Sequence, residues 1–247
     1  KIIHKDLRES LMTNGNSLVI AGSKKKAKVH IHVNNPSEIF KICSNFGTVK
    51  GEKADDMWQQ QEAAQGQKSK RVAIVTDSGA DIPDDIDLDI YVVPVRYNFG
   101  NIGYVDKVSQ TPAEFFKELE TNPNHPQTSQ PTPGDFRRQY QFLKSHYDSI
   151  ISIHIAHELS GTYQSALNAA KRVDEQNIQV VDGYSASAGL GLIVMKAASL
   201  AKAGKSKEEI ISLLPEIIST SKVFLAVKDL QYVVKGGRLP AWVKSIA

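Results

Sequence analysis

The chain has 247 residues, 41% hydrophobic and 23% charged, with a formal net charge of +3. That length and apolar fraction suit one large or two ordinary domains with a buried core, and they exclude a disordered chain. A single cysteine, Cys43, excludes a disulfide framework and cysteine-based zinc modules, the mild charge argues against nucleic acid as a partner, and no apolar run of about 18 residues is present to span a membrane.

Residues 5–13 read as a helix and Ser17-Leu-Val-Ile-Ala-Gly22 as a strand. Lys28-Val-His-Ile-His-Val33 alternates with period two, as a half-buried strand does. Asn34-Asn-Pro-Ser37 makes a turn in which Ser37 caps a helix over 38–45. Residues 1–58 thus form a small α+β segment, marginal as an independent domain and expected to lean on a neighbour. His30 and His32 point to one face of their strand, where a shared metal needs a third ligand. The plainer reading is two packed or solvent-facing histidines, and no metal site is expected.

Residues 59–70 are polar, low in complexity and free of β-branched side chains, and they read as a linker. From there to the end, 71–247, strands alternate with helices. Strands are expected over 71–76, 90–98, 150–155, 178–181 and 223–227. Helices are expected over 112–120, 134–147, 161–175, 185–203 and 207–219. The alternation indicates βαβ units around a mostly parallel sheet flanked by helices, an α/β fold. In such sheets ligands bind beyond the carboxyl ends of the strands, which directs attention to the loops there.

Three of those loops carry hydroxyls: Thr76-Asp-Ser-Gly-Ala-Asp81, Thr128-Ser-Gln-Pro-Thr-Pro-Gly-Asp-Phe136 and Leu159-Ser-Gly-Thr-Tyr-Gln164. A helix N-terminus has unpaired N–H groups and partial positive charge, so it favours an anion without a cationic side chain, and hydroxyls add directed donors. Two such loops side by side can hold a carboxylate while an aliphatic pocket takes an apolar tail. The alternative is that Ser160 and Thr132 cap helices while Asp77 and Asp81 brace turns. No phosphate-binding Gly-x-x-x-x-Gly-Lys and no Gly-x-Ser-x-Gly elbow occurs in the chain.

The run Val75-Thr-Asp-Ser-Gly-Ala-Asp-Ile-Pro83, the second and third loops above, Val181-Asp with Ser187-Ala-Gly-Leu-Gly191, and Asp229-Leu-Gln-Tyr with Gly236-Gly-Arg-Leu239 together resemble the DegV family of bacterial fatty-acid-binding proteins. The resemblance covers 71–247. It implies two α/β domains enclosing a long-chain fatty acid, the second incomplete at the C-terminus of this sequence. It also implies a head-group site at Thr128, Ser129, Ser160, Gly161 and Thr162, with Arg238 framing one end. Two departures stand out: Ala156-His157 replaces a usual Ser-Ser pair, and Gly183 replaces a common Ser. Gly15-Asn-Ser-Leu-Val-Ile-Ala-Gly22 and Lys28-Val-His-Ile-His-Val-Asn-Asn-Pro36 look like the middle domain of fatty acid kinases, which have a dihydroxyacetone-kinase-like ATP-binding domain.

Joined, the two resemblances imply a cytoplasmic protein of phospholipid metabolism whose carrier part binds a fatty acid and presents it to an ATP-dependent kinase domain, in cis or in trans, for acyl phosphate formation. This chain is expected to bind without catalysing. Its ligand is the fatty acid, and ATP and Mg belong to a kinase domain outside it. The missing initiator Met and the stop soon after Gly-Gly-Arg lead to the expectation that the sequence is a window on a longer protein. The competing reading is a Ser-dependent acyl hydrolase or transferase using Ser160 or Thr128, with His154 or His157 as base.

Overall fold

Near-continuous apolar runs such as Val72-Ala-Ile-Val75 suit strands covered on both faces, and they form the centre of the fold. The computed structural model describes residues 4–23, 26–49, 70–83, 85–224, 226 and 231–237. The chain divides into two compact units, Lys1–Gln61 with Arg96–Gln127, and Glu62–Val95 with Thr128–Ala247.

In the first unit, helix α1 (His4–Leu11) precedes the antiparallel strands β1 (Asn16–Ser23) and β2 (Lys26–His32), followed by α2 (Pro36–Ser44). Leu7, Leu11 and Ile39 are the buried residues of one core cluster there. Asn35, not Ser37, is the N-cap of α2, because Pro36 occupies the first helical turn; the Ser37 hydroxyl donates instead to Asn35 Oδ1. His30 and His32 both fall on β2, as expected, and the side chain of His30 lies outside the described ones.

The second unit begins with β3 (Lys70–Asp77), so the expected linker at 59–70 lies outside the described residues except for Lys70. The single strand expected over 90–98 is two, β4 (Ile90–Val93) and, in the first unit, β5 (Arg96–Phe99), which belong to different sheets. Pro94, with no N–H to give a ladder, stands at the break. β6 (Ile102–Val105) pairs antiparallel with β5, and helix α3 (Pro112–Thr121) follows. Tyr97, Tyr104 and Phe115 cluster there, with Tyr97 and Tyr104 stacked at 5.1 Å.

After a short strand β7 (Gln127–Ser129), the chain forms α4 (Pro133–Lys144), β8 (Tyr147–His154), α5 (Thr162–Val173), β9 (Ile178–Asp182), α6 (Ser187–Lys202) and α7 (Lys207–Thr220). The helix expected to run to 147 stops at Lys144, and Tyr147 already opens the next strand. Of the strand expected over 223–227, Val223, Phe224 and Ala226 have no regular secondary structure, and 225 and 227 lie outside the described residues. A further short helix, α8 (Gln231–Lys235), adds to the elements expected from the sequence.

Among the described residues, this unit holds a four-stranded sheet ordered β4-β3-β8-β9 in which every pair is parallel. Phe136, Tyr140 and Leu143 of α4 and Ala166, Ala169 and Ala170 of α5 recur at helical spacing and pack on one face. Leu190, Ile193, Val194 and Ala197 of α6 and Ile210 and Leu214 of α7 cover the other. The α/β expectation is met. From β3 the chain pairs outward to β4 on one side and to β8 on the other, so the sheet order reverses between β3 and β8. Crevices at such a reversal, beyond the carboxyl ends of the strands, are where open α/β sheets bind ligands.

Candidate functional site

The carboxyl ends of β3 and β8 are neighbours, Val75 standing in register with Ser152. Asp77, the last residue of β3, therefore lies beside the end of β8. Its Oδ1 accepts from the Gly79 N–H at 2.9 Å, and its Oδ2 accepts from the Ile155 N–H at 3.1 Å and meets His154 Nδ1 at 2.9 Å. The other ring nitrogen of His154 lies 2.7 Å from Ser152 Oγ, to which the Tyr140 phenol donates at 2.7 Å. Asp77, His154, Ser152 and Tyr140 are all fully buried. Burial pushes the Tyr140 phenol well above its ordinary range and outweighs the lowering effect of its bond to Ser152, so it remains a donor.

Beyond Asp77 the first hydroxyl loop is bracing. Ser78 Oγ accepts from the Val95 N–H at 3.0 Å, and Asp81 accepts from the Ser187 hydroxyl at 2.5 Å. The Ser187 N–H donates to Gly79 O and the Asp81 N–H donates back to Ser187 O, tying the turn after β3 to the start of α6. The glycines of Ser187-Ala-Gly-Leu-Gly191 are packing residues. A Cβ on Gly191 would stand 2.1 Å from Asp81 O, and one on Gly189 would meet Val223 at 2.1 Å. Asp77 and Asp81 are turn braces, as the sequence allowed.

A cavity of about 310 Å³ opens beyond these strand ends. Its wall includes Thr128, Ser129, Gln130 and Ser160, with Val95, Ile155 and Leu159 as apolar surface and Asp77 and Gly79 behind. The volume lies at the small end of ligand pockets. Thr128 and Ser129 are exposed on β7, and Ser160 is half-buried at the start of α5.

Thr132 caps α4 in a full capping box with Asp135 and does not line the cavity. Gly161, not Ser160, is the N-cap of α5, and Ser160 turns its hydroxyl to Thr162, 2.9 Å from Thr162 Oγ1. Thr162 is fully buried and absent from the cavity wall, so it braces Ser160 from behind. Gln130 joins the second and third loops. Its amide donates to Ser165 Oγ at 3.3 Å, and a Cβ on Gly161 would come within 2.3 Å of its Oε1.

The structure thus brings Thr128, Ser129 and Ser160 together, places Gly161 and Thr162 in support, and leaves Arg238 outside the described residues. Gln130 and Asp77 join the wall without having been singled out for it. Gln130 has no spacing signature, and Asp77 meets its partner His154 across 77 residues.

Nucleophilic chemistry at Ser160 has no base in place among the described residues: the Ser160 hydroxyl bonds Thr162, and both nitrogens of His154 are engaged by Asp77 and Ser152. The exposed His157 is held by Asp182, whose Oδ1 accepts from the Tyr184 N–H at 2.9 Å. Ligand-type atoms of His157, Glu158 and Asp182 lie within 4.8 Å of one another, and the bonds among these side chains account for that closeness. Gly183 is where its neighbours demand no side chain. A Cβ there would stand 2.6 Å from Leu190 and 2.8 Å from His154 O.

Residues 71–247 match the family model described as "Uncharacterised protein, DegV family", and residues 1–64 match the model for the middle domain of FakA-like fatty acid kinases. A DegV domain-containing protein of Caldanaerobacter subterraneus is 38% identical over 172 residues, 69% of this chain and 61% of that protein. One of Listeria innocua is 34% identical over 174 residues, 69% of this chain and 62% of the relative. The chain therefore spans about three fifths of the length of the curated relatives it matches. Among solved structures, a fatty-acid-binding DegV family protein from Thermus thermophilus is 36% identical with a TM-score of 0.63, covering 68% of this chain and 60% of its own. DegV of Bacillus subtilis, described as a fatty acid binding protein, is 34% identical with a TM-score of 0.65, covering 71% and 64%. The Streptococcus pneumoniae Fatty Acid Kinase (Fak) B3 protein, loaded with linoleic acid, shares the fold at 23% identity and a TM-score of 0.64, covering 72% and 64%.

Proposed function

The chain belongs to the DegV family through residues 71–247, and from that premise we propose that it binds a long-chain fatty acid and presents the carboxylate to an ATP-dependent fatty acid kinase domain. The observation that carries this reading is that Thr128, Ser129, Gln130 and Ser160, residues bearing hydroxyl or amide groups, line one cavity near the point where the strand order reverses between β3 and β8. The apolar side chains of Val95, Ile155 and Leu159 beside them supply surface for the first part of the tail. The relatives from Thermus thermophilus and Bacillus subtilis, described as binding fatty acids, support the same ligand.

Neutral donors suit such a role. A carboxylate clamped by a cation loses nucleophilicity, whereas hydroxyl and amide donors orient it and leave an oxygen able to attack a phosphoryl group. The match of residues 1–64 to a fatty acid kinase middle domain supports kinase presentation. ATP and its Mg belong to a kinase domain, and this chain's part is binding and orientation. Thr128, Ser129 and Ser160 are assigned the head group directly, Gly161 and Thr162 the shape of the loop, and Arg238 the outer end of the site.

Mass spectrometry of lipid extracted from the purified, folded chain after incubation with mixed fatty acids tests the reading. A stoichiometric long-chain acid is expected. A folded sample that carries none and takes none up overturns it.

A further inference from the structure

The hydroxyls assigned to the head group come from two elements that no common strand ladder holds together. Thr128 and Ser129 stand on β7, which is not a strand of the four-stranded sheet, whereas Ser160 follows β8, which is. Two sets of donors share one carboxylate well only if their separation is set before the ligand arrives, because ordering a loose loop on binding costs affinity.

Gln130, directly after β7, supplies a tie between them. Its amide bonds Ser165 Oγ at 3.3 Å. Ser165 sits in the first turn of α5, is 4% exposed and gives its N–H to Gly161 O at 3.0 Å. Pro131 follows Gln130 and is buried, which confines the Gln130 backbone to extended geometry and narrows the directions its side chain can take.

Gly161 receives that side chain. A Cβ there would stand 2.3 Å from Gln130 Oε1, 2.7 Å from its Nε2 and 2.8 Å from its Cδ, so the amide lies across the place of the missing side chain. Gly161 has φ −72°, a negative value that does not call for glycine. What demands glycine at 161 is the space Gln130 takes.

We propose that Gln130 is a positioning residue for the head group. Latched over Gly161 and anchored on Ser165, it fixes the spacing between Thr128–Ser129 and Ser160. The site thereby selects a head group with two oxygens, a carboxylate, over one with a single oxygen. The inference rests on the fatty-acid reading of the same cavity.

Titration calorimetry of the whole chain and its variants with oleate and with oleyl alcohol tests it. Gln130→Ala should weaken oleate binding about tenfold and alcohol binding by less than about twofold. Gly161→Ala should do the same, since the added methyl group meets only the far end of a flexible side chain, which swings aside and leaves the fold intact. Placed on top of Gln130→Ala, it should cost less than about twofold more, because its obstacle is gone. A glycine needed only for the fold would add its full penalty in both backgrounds. Should Gly161→Ala not fold, Ser165→Ala, outside the cavity wall, takes its place with the same expectations. Additive penalties, equal losses for oleate and the alcohol, or unchanged oleate affinity in the variants each overturn the latch and leave the carrier reading standing. An unaltered chain that binds no oleate overturns the carrier reading and this inference with it.

Discussion

Ser160 shows how much one side chain at this site is asked to do. Its hydroxyl is 2.9 Å from Thr162 Oγ1 and also accepts from the Thr162 N–H at 3.3 Å, so it is oriented before any ligand arrives. A hydroxyl fixed in this way and paired with a carboxylate contributes about 1–3 kcal/mol. Ser160→Ala should therefore weaken oleate binding by roughly five- to 150-fold. Unchanged affinity by titration calorimetry would remove Ser160 from the site. The residue types at 128, 129 and 160 and their loops were legible in the sequence. The capping assignment of Ser160 was not, because Gly161 adopts the cap position instead.

At the scale of elements, the packing of α6 on the turn after β3 holds the site's floor in place. Gly191 faces Asp81 O so closely that a methyl group would stand 2.1 Å from a backbone atom, which cannot swing aside as a side chain can. Gly191→Ala should cost about 1–3 kcal/mol through overpacking, read as a lower urea midpoint, and should weaken ligand binding as the 79–81 turn shifts.

A second element-scale prediction concerns pH. Asp174, at the end of α5, accepts hydrogen bonds from Asn177 and Lys144, which hold its carboxyl down to about 2 from an ordinary value of 3.8. A depressed carboxyl stabilises the fold above its ordinary value and loses that contribution as pH falls through the folded value. Asp174→Asn should thus lower the urea midpoint at pH 7, and the gap to the unaltered chain should narrow between pH 4 and pH 2. A gap independent of pH would show that the charge is not what matters.

Element identity was readable wherever periodicity and capping chemistry agreed. The Thr132-Pro-Gly-Asp135 start of α4 is one case, with Phe136, Tyr140 and Leu143 spaced for one face. It failed where one residue interrupts an apolar run. Pro94 splits 90–98 into strands of different sheets, although Ile90 to Asn98 reads as one strand. It failed again at 223–227, where Val223 packs against α6 near Gly189 without joining a ladder. The apolar side chains described there are exposed, Val223 at 48% and Phe224 at 94%, and they join no strand.

For the whole molecule, a ligand that binds only the folded state stabilises it in proportion to occupancy. Oleate at a hundred times its dissociation constant should add about 2.7 kcal/mol to unfolding free energy, seen as a rise of several degrees in the melting temperature. No shift at saturating oleate would place the lipid off the folded state.

The class of the fold, the helices α1 to α7 and the three hydroxyl loops were determined by the sequence alone, because apolar period, capping residues and turn chemistry are local. Local pattern also sufficed for the family resemblance, whose motifs lie in the loops. Only the tertiary structure decided which of those loops form one wall. Thr128 and Ser160 are 32 positions apart, and they line the same cavity, near the point where the strand order reverses between β3 and β8. The pairing of Asp77 with His154 across 77 positions was decided the same way. Buried polar groups must find partners wherever the packed sheet brings them, and no local rule names a partner that distant.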